Sequence, residues 1–236
     1  MNRRKTVLIT GANRGIGFEA AKELAESGHR VILTARNKEK GIKACENIKG
    51  EVIFHLLDVT QSESVERLAK FIGKDIGTID VLINNAGSMF DPRRFEANPA
   101  NPLDSSVAIL NQTLQLNFVG AYDVTKQILP FMNKKERADI INVSSGMGAL
   151  HEMGVGTPAY RISKTALNAL TKVLTAEFEN TDLHINSICP GWVRTDLGGV
   201  GATRSLEEGV MGIVWIVNEE PELRGQFIRD KEQLDF

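Results

Sequence analysis

Tyr160 and Lys164 stand one helical turn apart, and Tyr160 comes fifteen residues after the serine that ends the run Ile140-Ile141-Asn142-Val143-Ser144-Ser145. A phenol with an ammonium at i+4 suits proton transfer to or from oxygen. Near the start of the chain, Thr10-Gly11-Ala12-Asn13-Arg14-Gly15-Ile16-Gly17 follows the apolar stretch Val7-Leu8-Ile9. A glycine turn between strand and helix suits a dinucleotide pyrophosphate, because backbone can approach closely and the helix aims free N–H groups at the anion. Together the two segments describe a redox site.

Both tyrosines of the chain have lysine at i+4, Tyr122 with Lys126 and Tyr160 with Lys164, so spacing alone does not choose between them. Tyr160 is preferred because its serine follows the carboxyl end of a strand, which a nicotinamide should reach. A phenol titrates near ~10, so acidifying it toward neutrality takes about three units, or roughly 4 kcal/mol of support for the phenolate. Lys164 and the cationic oxidised nicotinamide are expected to supply that together. In reduction, Tyr160 gives its proton to a carbonyl oxygen as hydride reaches the carbon. Ser145 is expected to hold the same oxygen, with Ser144 turned elsewhere by strand alternation. Asn117, in Leu116-Asn117-Phe118-Val119-Gly120, is a poor helix former. It marks either a kink holding a water that returns protons to Lys164, or a bend satisfied locally.

The end of the second strand selects the nicotinamide cofactor, since a carboxylate about 20 residues past the glycines would bind a ribose 2'-hydroxyl and repel a 2'-phosphate. Here that strand ends Thr34-Ala35-Arg36. Arg36, with Arg14 from the glycine turn, offers cations to phosphate, so NADP(H) is the expected cofactor. Asp58, in Leu57-Asp58-Val59, is placed to accept from the adenine amino group or to shape a turn. Asn84-Asn85-Ala86-Gly87 ends the fourth strand, where backbone could lie flat against the adenosine ribose or only turn.

These residues need a frame, and the hydrophobic pattern supplies one. Strands are expected at 6–10, 30–35, 51–57, 79–84, 139–144, 184–189 and 226–229, alternating with helices at 15–27, 38–49, 62–74, 104–132, 158–180 and 206–218. Asp104, Ser62 and Thr157 are the expected N-caps. Several strands are continuously apolar, as strands covered on both faces should be. The expected fold class is therefore α/β, a doubly wound, seven-stranded, mostly parallel sheet with helices on both faces, formed as one domain over 1–236.

Composition narrows the function classes. The 236 residues carry a formal net charge of -2 without long basic runs, so nucleic acid is not an expected partner. Cys45 and Cys189 are too few for a disulfide framework or a zinc site, which makes a reducing, cytoplasmic setting the expectation. No apolar stretch approaches the ~18 residues of a membrane span. Phosphate-loop and nucleophile-elbow motifs are missing, and the histidines show no ligand spacing.

Taken together, the motifs resemble those of the short-chain dehydrogenase/reductase family along nearly the whole chain. The family's glycine motif falls on Thr10, Gly11, Gly15 and Gly17, its adenine-side aspartate on Asp58, and its Asn-Asn-Ala-Gly on Asn84 to Gly87. Its catalytic four fall on Asn117, Ser145, Tyr160 and Lys164, and Pro190-Gly191 and Thr195 match the segment that in relatives wraps the nicotinamide. The resemblance implies a Rossmann-type fold. It also implies cofactor contacts from Gly11, Asn13, Arg14, Gly15, Ile16 and Gly17, then from Arg36, Asp58, Val59, Asn85, Ala86 and Gly87. Tyr160, Lys164, Pro190, Gly191, Val193 and Thr195 complete the set.

Within the family, Val31 to Arg36 and Cys189 to Asp196 are most similar to NADPH-dependent carbonyl reductases, which implies ketone, aldehyde or quinone substrates. Monomeric animal members carry a long helical insertion between the catalytic serine and tyrosine. The short interval here leaves that face open, so a homodimer or homotetramer is expected, packed through the helix bearing Ala159, Ala166, Ala169 and Ala176 and the helix bearing Asn117. Three segments should line the pocket: 88–103 with Pro92, Pro99 and Pro102, 146–157 with Met147, Leu150, His151 and Met153, and 196–205. Trp192 is an expected wall and 198–202 an expected lid. The competing class is a nucleotide-binding sensor of the same fold that does not turn over.

Overall fold

The computed structural model describes residues 3–92 and 105–236. In chain order the elements are β1 (Thr6–Ile9), α1 (Gly15–Glu26), β2 (Arg30–Ala35), α2 (Lys38–Glu46), β3 (Glu51–Leu56), α3 (Ser62–Phe71) and β4 (Val81–Asn84). There follow α4 (Val107–Leu114), α5 (Gly120–Ile128), β5 (Ala138–Val143), α6 (Pro158–Glu177), β6 (Leu183–Ile188), α7 (Leu206–Glu219), β7 (Phe227–Arg229) and β8 (Glu232–Leu234).

The strands form one sheet in the order β3-β2-β1-β4-β5-β6-β7-β8, parallel except for β8. Alternation along each strand sends side chains to opposite faces and so builds two cores. Val7, Ile9, Val31, Leu33, Val81 and Ile83 pack under α1 and α7, while Leu8, Ile32, Leu82, Ile140 and Ile185 pack under α3, α5 and the end of α6. Truncating Leu8, which is fully buried, would cost about 2–5 kcal/mol. Strand order reverses between β1 and β4, which opens a crevice at their carboxyl ends.

The sheet has one strand more than the sequence pattern indicates. β8 returns on β7 through Asp230 and Lys231, both at positive φ (55° and 68°). That conformation normally recruits Asn-Gly or Asp-Gly, so an Asp-Lys pair gives no sequence signal for it. The expected helix over 104–132 is broken into α4, a π-helical turn at Gln115–Val119, α5 and a closing 3-10 turn at Leu129–Phe131 that contains Pro130. Of the expected caps, Asp104 lies outside the described residues. Ser62 is the first residue of α3, behind Gln61 at the cap position, and its hydroxyl donates to Asp123 at 2.9 Å.

Beneath the crevice a buried polar chain crosses the sheet. Asn84 Nδ2 donates to Thr125 Oγ1 and Asn142 Oδ1 at 2.9 Å each, and Asn142 Nδ2 donates to Thr171 Oγ1 at 2.8 Å. Thr171 in turn meets Ser187 Oγ at 2.8 Å. This links α5, β4, β5, α6 and β6, and fixes the register of the strand ends that carry the site.

Candidate active site

The glycine turn is held from behind by β4. Gly11 and Gly15 have φ of 64° and 59°, and a Cβ on Gly11 would lie 2.9 Å from Ala86 Cα. Asn85 Nδ2 donates to the carbonyls of Thr10 (2.8 Å) and Gly11 (3.0 Å), while Thr10 Oγ1 accepts from Asn85 N and Ala86 N at 3.0 Å each. The Asn85 side chain is therefore occupied in shaping the turn, which leaves the expected ribose contact to the backbone of this segment. Helix α1 begins at Gly15 with no side-chain cap and no acid in its first turn, which leaves its leading N–H groups facing the crevice. A diphosphate fits that end. Ile16, behind it, packs against the core.

The segment after β6 closes over this turn. A Cβ on Gly15 would sit 3.5 Å from Thr195 Cγ2, and Arg14 pairs with Asp196 across the gap. Val193 is buried and bridges to Arg204, pinning the base of the loop, and Trp192 Nε1 donates to Gly198 O at 2.9 Å. Gly191 turns at φ 76° beside Arg204, and Pro190 precedes it in the buried start of the segment. Arg36 is exposed just after β2. Asn13 and Arg14 line a depression of about 360 Å3 with Phe18, Lys40, Lys43, Ala44 and Asn47, which adds two lysines the sequence pattern did not single out.

Asp58 behaves as a turn residue: its Oδ1 accepts from Thr60 N at 3.0 Å and Thr60 Oγ1 at 2.7 Å. Val59 is buried against Gly120, where a Cβ would come 2.8 Å from the Val59 carbonyl. Gly87 faces two groups of the chemical half, since its Cβ would lie 3.2 Å from Asn117 Oδ1 and 3.4 Å from Lys164 Nζ.

Tyr160 and Lys164 point inward from α6, 8% and 5% exposed. The Ser145 hydroxyl lies close enough to the Tyr160 phenol to favour its phenolate. Lys164 Nζ donates to Val143 O at 2.8 Å and lies 5.8 Å from the Tyr160 ring centroid. Ser144 Oγ donates to Lys164 O at 3.3 Å, away from the crevice, as alternation requires. Tyr122 and Lys126 are exposed on α5. Asn117 lies within the π-helical turn and is 1% exposed. Its Nδ2 donates to Ser88 O (2.8 Å) and Ser163 Oγ (2.9 Å), and its Oδ1 accepts from Ser88 N at 2.9 Å. Asparagine thus ties the loop after β4 to α6, and the kink expected there is a widened turn.

Burial opposes the acidification that Lys164 and the oxidised nicotinamide are expected to supply. It pushes the Tyr160 phenol up to about 12, and Ser145 pulls it down by less. Burial likewise pushes the Lys164 ammonium down to about 8. Desolvation disfavours both charged forms, and the lysine spends its hydrogen bond on a neutral carbonyl rather than on the phenolic oxygen. A phenol so placed keeps its proton at neutral pH, the form that carbonyl reduction consumes.

One residue at the site gave no sequence signal. Asp91 is 5% exposed; its Oδ1 accepts from Ala159 N at 3.0 Å, its Oδ2 from Tyr160 N at 2.9 Å, and Ser105 Oγ donates to Oδ1 as well. The expected cap, Thr157, occupies the cap position at φ 50°, and its buried hydroxyl has no partner among the described residues. A carboxylate from another segment therefore caps the helix that carries Tyr160.

On the substrate side, Met147 is half-buried, while Leu150, His151, Met153 and Trp192 are exposed around the crevice mouth. Pro92 is half-buried in the segment after β4; Pro99 and Pro102 lie outside the described residues.

A doubly wound sheet, a glycine turn under a helix N-terminus and a buried Ser-Tyr-Lys cluster define a dinucleotide-dependent oxidoreductase architecture. Residues 5–203 match the family model described as short chain dehydrogenase, and the chain belongs to the short-chain dehydrogenase/reductase family. It is 30% identical over 280 residues to NADPH carbonyl reductase 1 of Mus musculus, covering 97% of each chain. To (+)-neomenthol dehydrogenase of Arabidopsis thaliana it is 28% identical over 260 residues, covering 86% of this chain and 87% of the relative. Among solved structures, a short-chain dehydrogenase/reductase from Burkholderia multivorans with bound NADP superposes with a TM-score of 0.85 at 27% identity, covering 99% of this chain and 100% of that one. Among the described residues, no helix is long and apolar enough to cross a membrane.

Proposed function

We propose that this protein reduces ketone, aldehyde or quinone carbonyls to alcohols with NADPH. The observation that carries the reading is the buried cluster of Ser145, Tyr160 and Lys164 at the carboxyl end of β5, with Asn117 and Lys164 both beside Gly87. NADPH, when bound, supplies the hydride. The leading N–H groups of α1 would hold its diphosphate, and Arg36 with Arg14 its 2'-phosphate.

In this reading Ser145 fixes the carbonyl oxygen and Tyr160 Oη releases its proton to it. The phenolate that remains is stabilised by Lys164, whose ammonium persists below about pH 8. Asn117 keeps Ser88 and Ser163 in place around that lysine. The partner is a small carbonyl compound or the matching alcohol. The free thiols of Cys45 and Cys189 accord with a reducing, cytoplasmic setting.

The chain is also inferred to associate through α5 and α6, where Tyr122, Ile162, Ala169 and Val173 expose apolar surface. Light scattering at micromolar concentration should give a dimer or tetramer. Turnover itself is tested by following NADPH absorbance with a panel of ketones, aldehydes and quinones. Consumption with at least one supports the reading, and tight NADPH binding without consumption across the panel overturns it.

A further inference from the structure

The rim of the pocket holds a cation that the reduction of a plain ketone does not use. Arg229 ends β7, which pairs with β6 in parallel, so it emerges at the same sheet edge as Ser145 and Cys189. The three strand ends are tied together there: Cys189 N donates to Ile228 O at 2.8 Å, and Gly146 N donates to Cys189 Sγ at 3.1 Å. Gly146 follows Ser145 directly. A Cβ on it would stand 3.2 Å from Glu152 Oε2 and 3.8 Å from Arg229 Nη1 and from Cys189 Sγ. The absence of a side chain on Gly146 thus lets a guanidinium and a carboxylate approach the backbone directly beside Ser145.

The two groups differ in how they are held. Arg229 is half-buried on a strand, whereas Glu152 is exposed in the loop between β5 and α6, where its Oε1 lies 3.8 Å from His151 Nε2. Among the described residues the Arg229 side chain makes no hydrogen bond or ion pair, and its neighbour Asp230 is engaged by Arg204, at 2.8 Å through Nη1. A partly desolvated guanidinium without a partner favours any anion that can reach it, and its planar fork matches a carboxylate.

We propose that Arg229 binds a carboxylate on the substrate, so that the preferred carbonyl compounds are oxo acids, with the nearby Glu152 carboxylate opposing a second anion there. Consecutive Cα atoms lie ~3.8 Å apart, so a short carbon spacer joins an oxygen held by Ser145 to an acid held over Gly146. The proposal rests on the reduction reading for its substrate but not for its binding test.

The test is titration of the NADPH-loaded protein with benzoylpropionate and with its uncharged methyl ester, read by calorimetry. The acid should bind about tenfold more tightly than the ester. Arg229→Gln should abolish that preference while leaving ester affinity unchanged, and Glu152→Gln, at an exposed position, should increase it. Equal affinity of acid and ester in the parent protein, or a preference that survives Arg229→Gln, overturns the proposal. If the preference is present but neither compound is reduced, the reduction reading fails and the carboxylate site stands.

Discussion

Replacing Asp91 by alanine should damage both stability and turnover, and the size of the first effect follows from the contacts. The carboxylate accepts from Ala159 N and Tyr160 N at 3.0 and 2.9 Å in a buried setting. Removing it leaves two helix N–H groups without an acceptor, and each bond to a charged group contributes about 1.5–3 kcal/mol. Allowing for partial replacement by water, we expect a loss of roughly 2–4 kcal/mol, or a fall in Tm of roughly 4–16 °C for a chain of this length. Because the same bond anchors the backbone of Tyr160, kcat should fall further than stability requires; a displacement of about 1 Å at a reacting group can cost on the order of 100-fold. Asp91→Asn, which keeps acceptor oxygen but loses the charge, should sit between the two. Thermal unfolding and steady-state kinetics at a temperature where both variants are folded measure this. An alanine variant that melts within a degree of the parent and keeps its kcat refutes the capping argument.

Three further outcomes are expected. The rate of reduction should be level through neutral pH and decline above about pH 8 as Lys164 loses its proton, while Tyr160, pushed up to about 12, stays protonated. A profile flat to about pH 10 contradicts the assignment of that limb. Burial holds His29 and His184 below the usual imidazole value, so their stabilising contribution is complete above the unfolded value of ~6.5 and is lost as pH falls through the lower folded values. Tm should drop on acidification below that point. His29→Gln should flatten the slope, because Nδ1 already accepts from Lys5 N at 3.1 Å and has no place for a proton. Arg36→Asp should lower NADPH efficiency by about 10–100-fold and favour NADH, with the ratio of kcat/KM for the two cofactors as the readout.

The parallel core was legible in the sequence because its signals are local. Runs such as Val31 to Ala35 and Ile140 to Val143 announce strands buried on both faces, and the glycine turn and the Tyr-Lys spacing lie within single segments. What stayed hidden depends on contacts between distant segments. Asp91 caps a helix 68 residues away, and Asn85 supports a turn 75 residues away; neither leaves a trace in local pattern. Thr157 looked like the natural cap, but its left-handed backbone turns its hydroxyl out of reach. The burial that raises the Tyr160 pKa is hidden for a related reason. Spacing shows a lysine one turn away, while the balance between its charge and desolvation depends on how deeply both groups are buried.

The central claim is that the Tyr160 phenol delivers the proton, and a paired comparison of Tyr160→Phe with Tyr122→Phe tests it most directly. Both variants are titrated with NADPH and then assayed for carbonyl reduction. Tyr160→Phe should bind NADPH as the parent does and lose about 100- to 10,000-fold in kcat, while Tyr122→Phe, altered at an exposed position, stays active. Retention of parental turnover by Tyr160→Phe, or inactivation of Tyr122→Phe instead, would contradict the account.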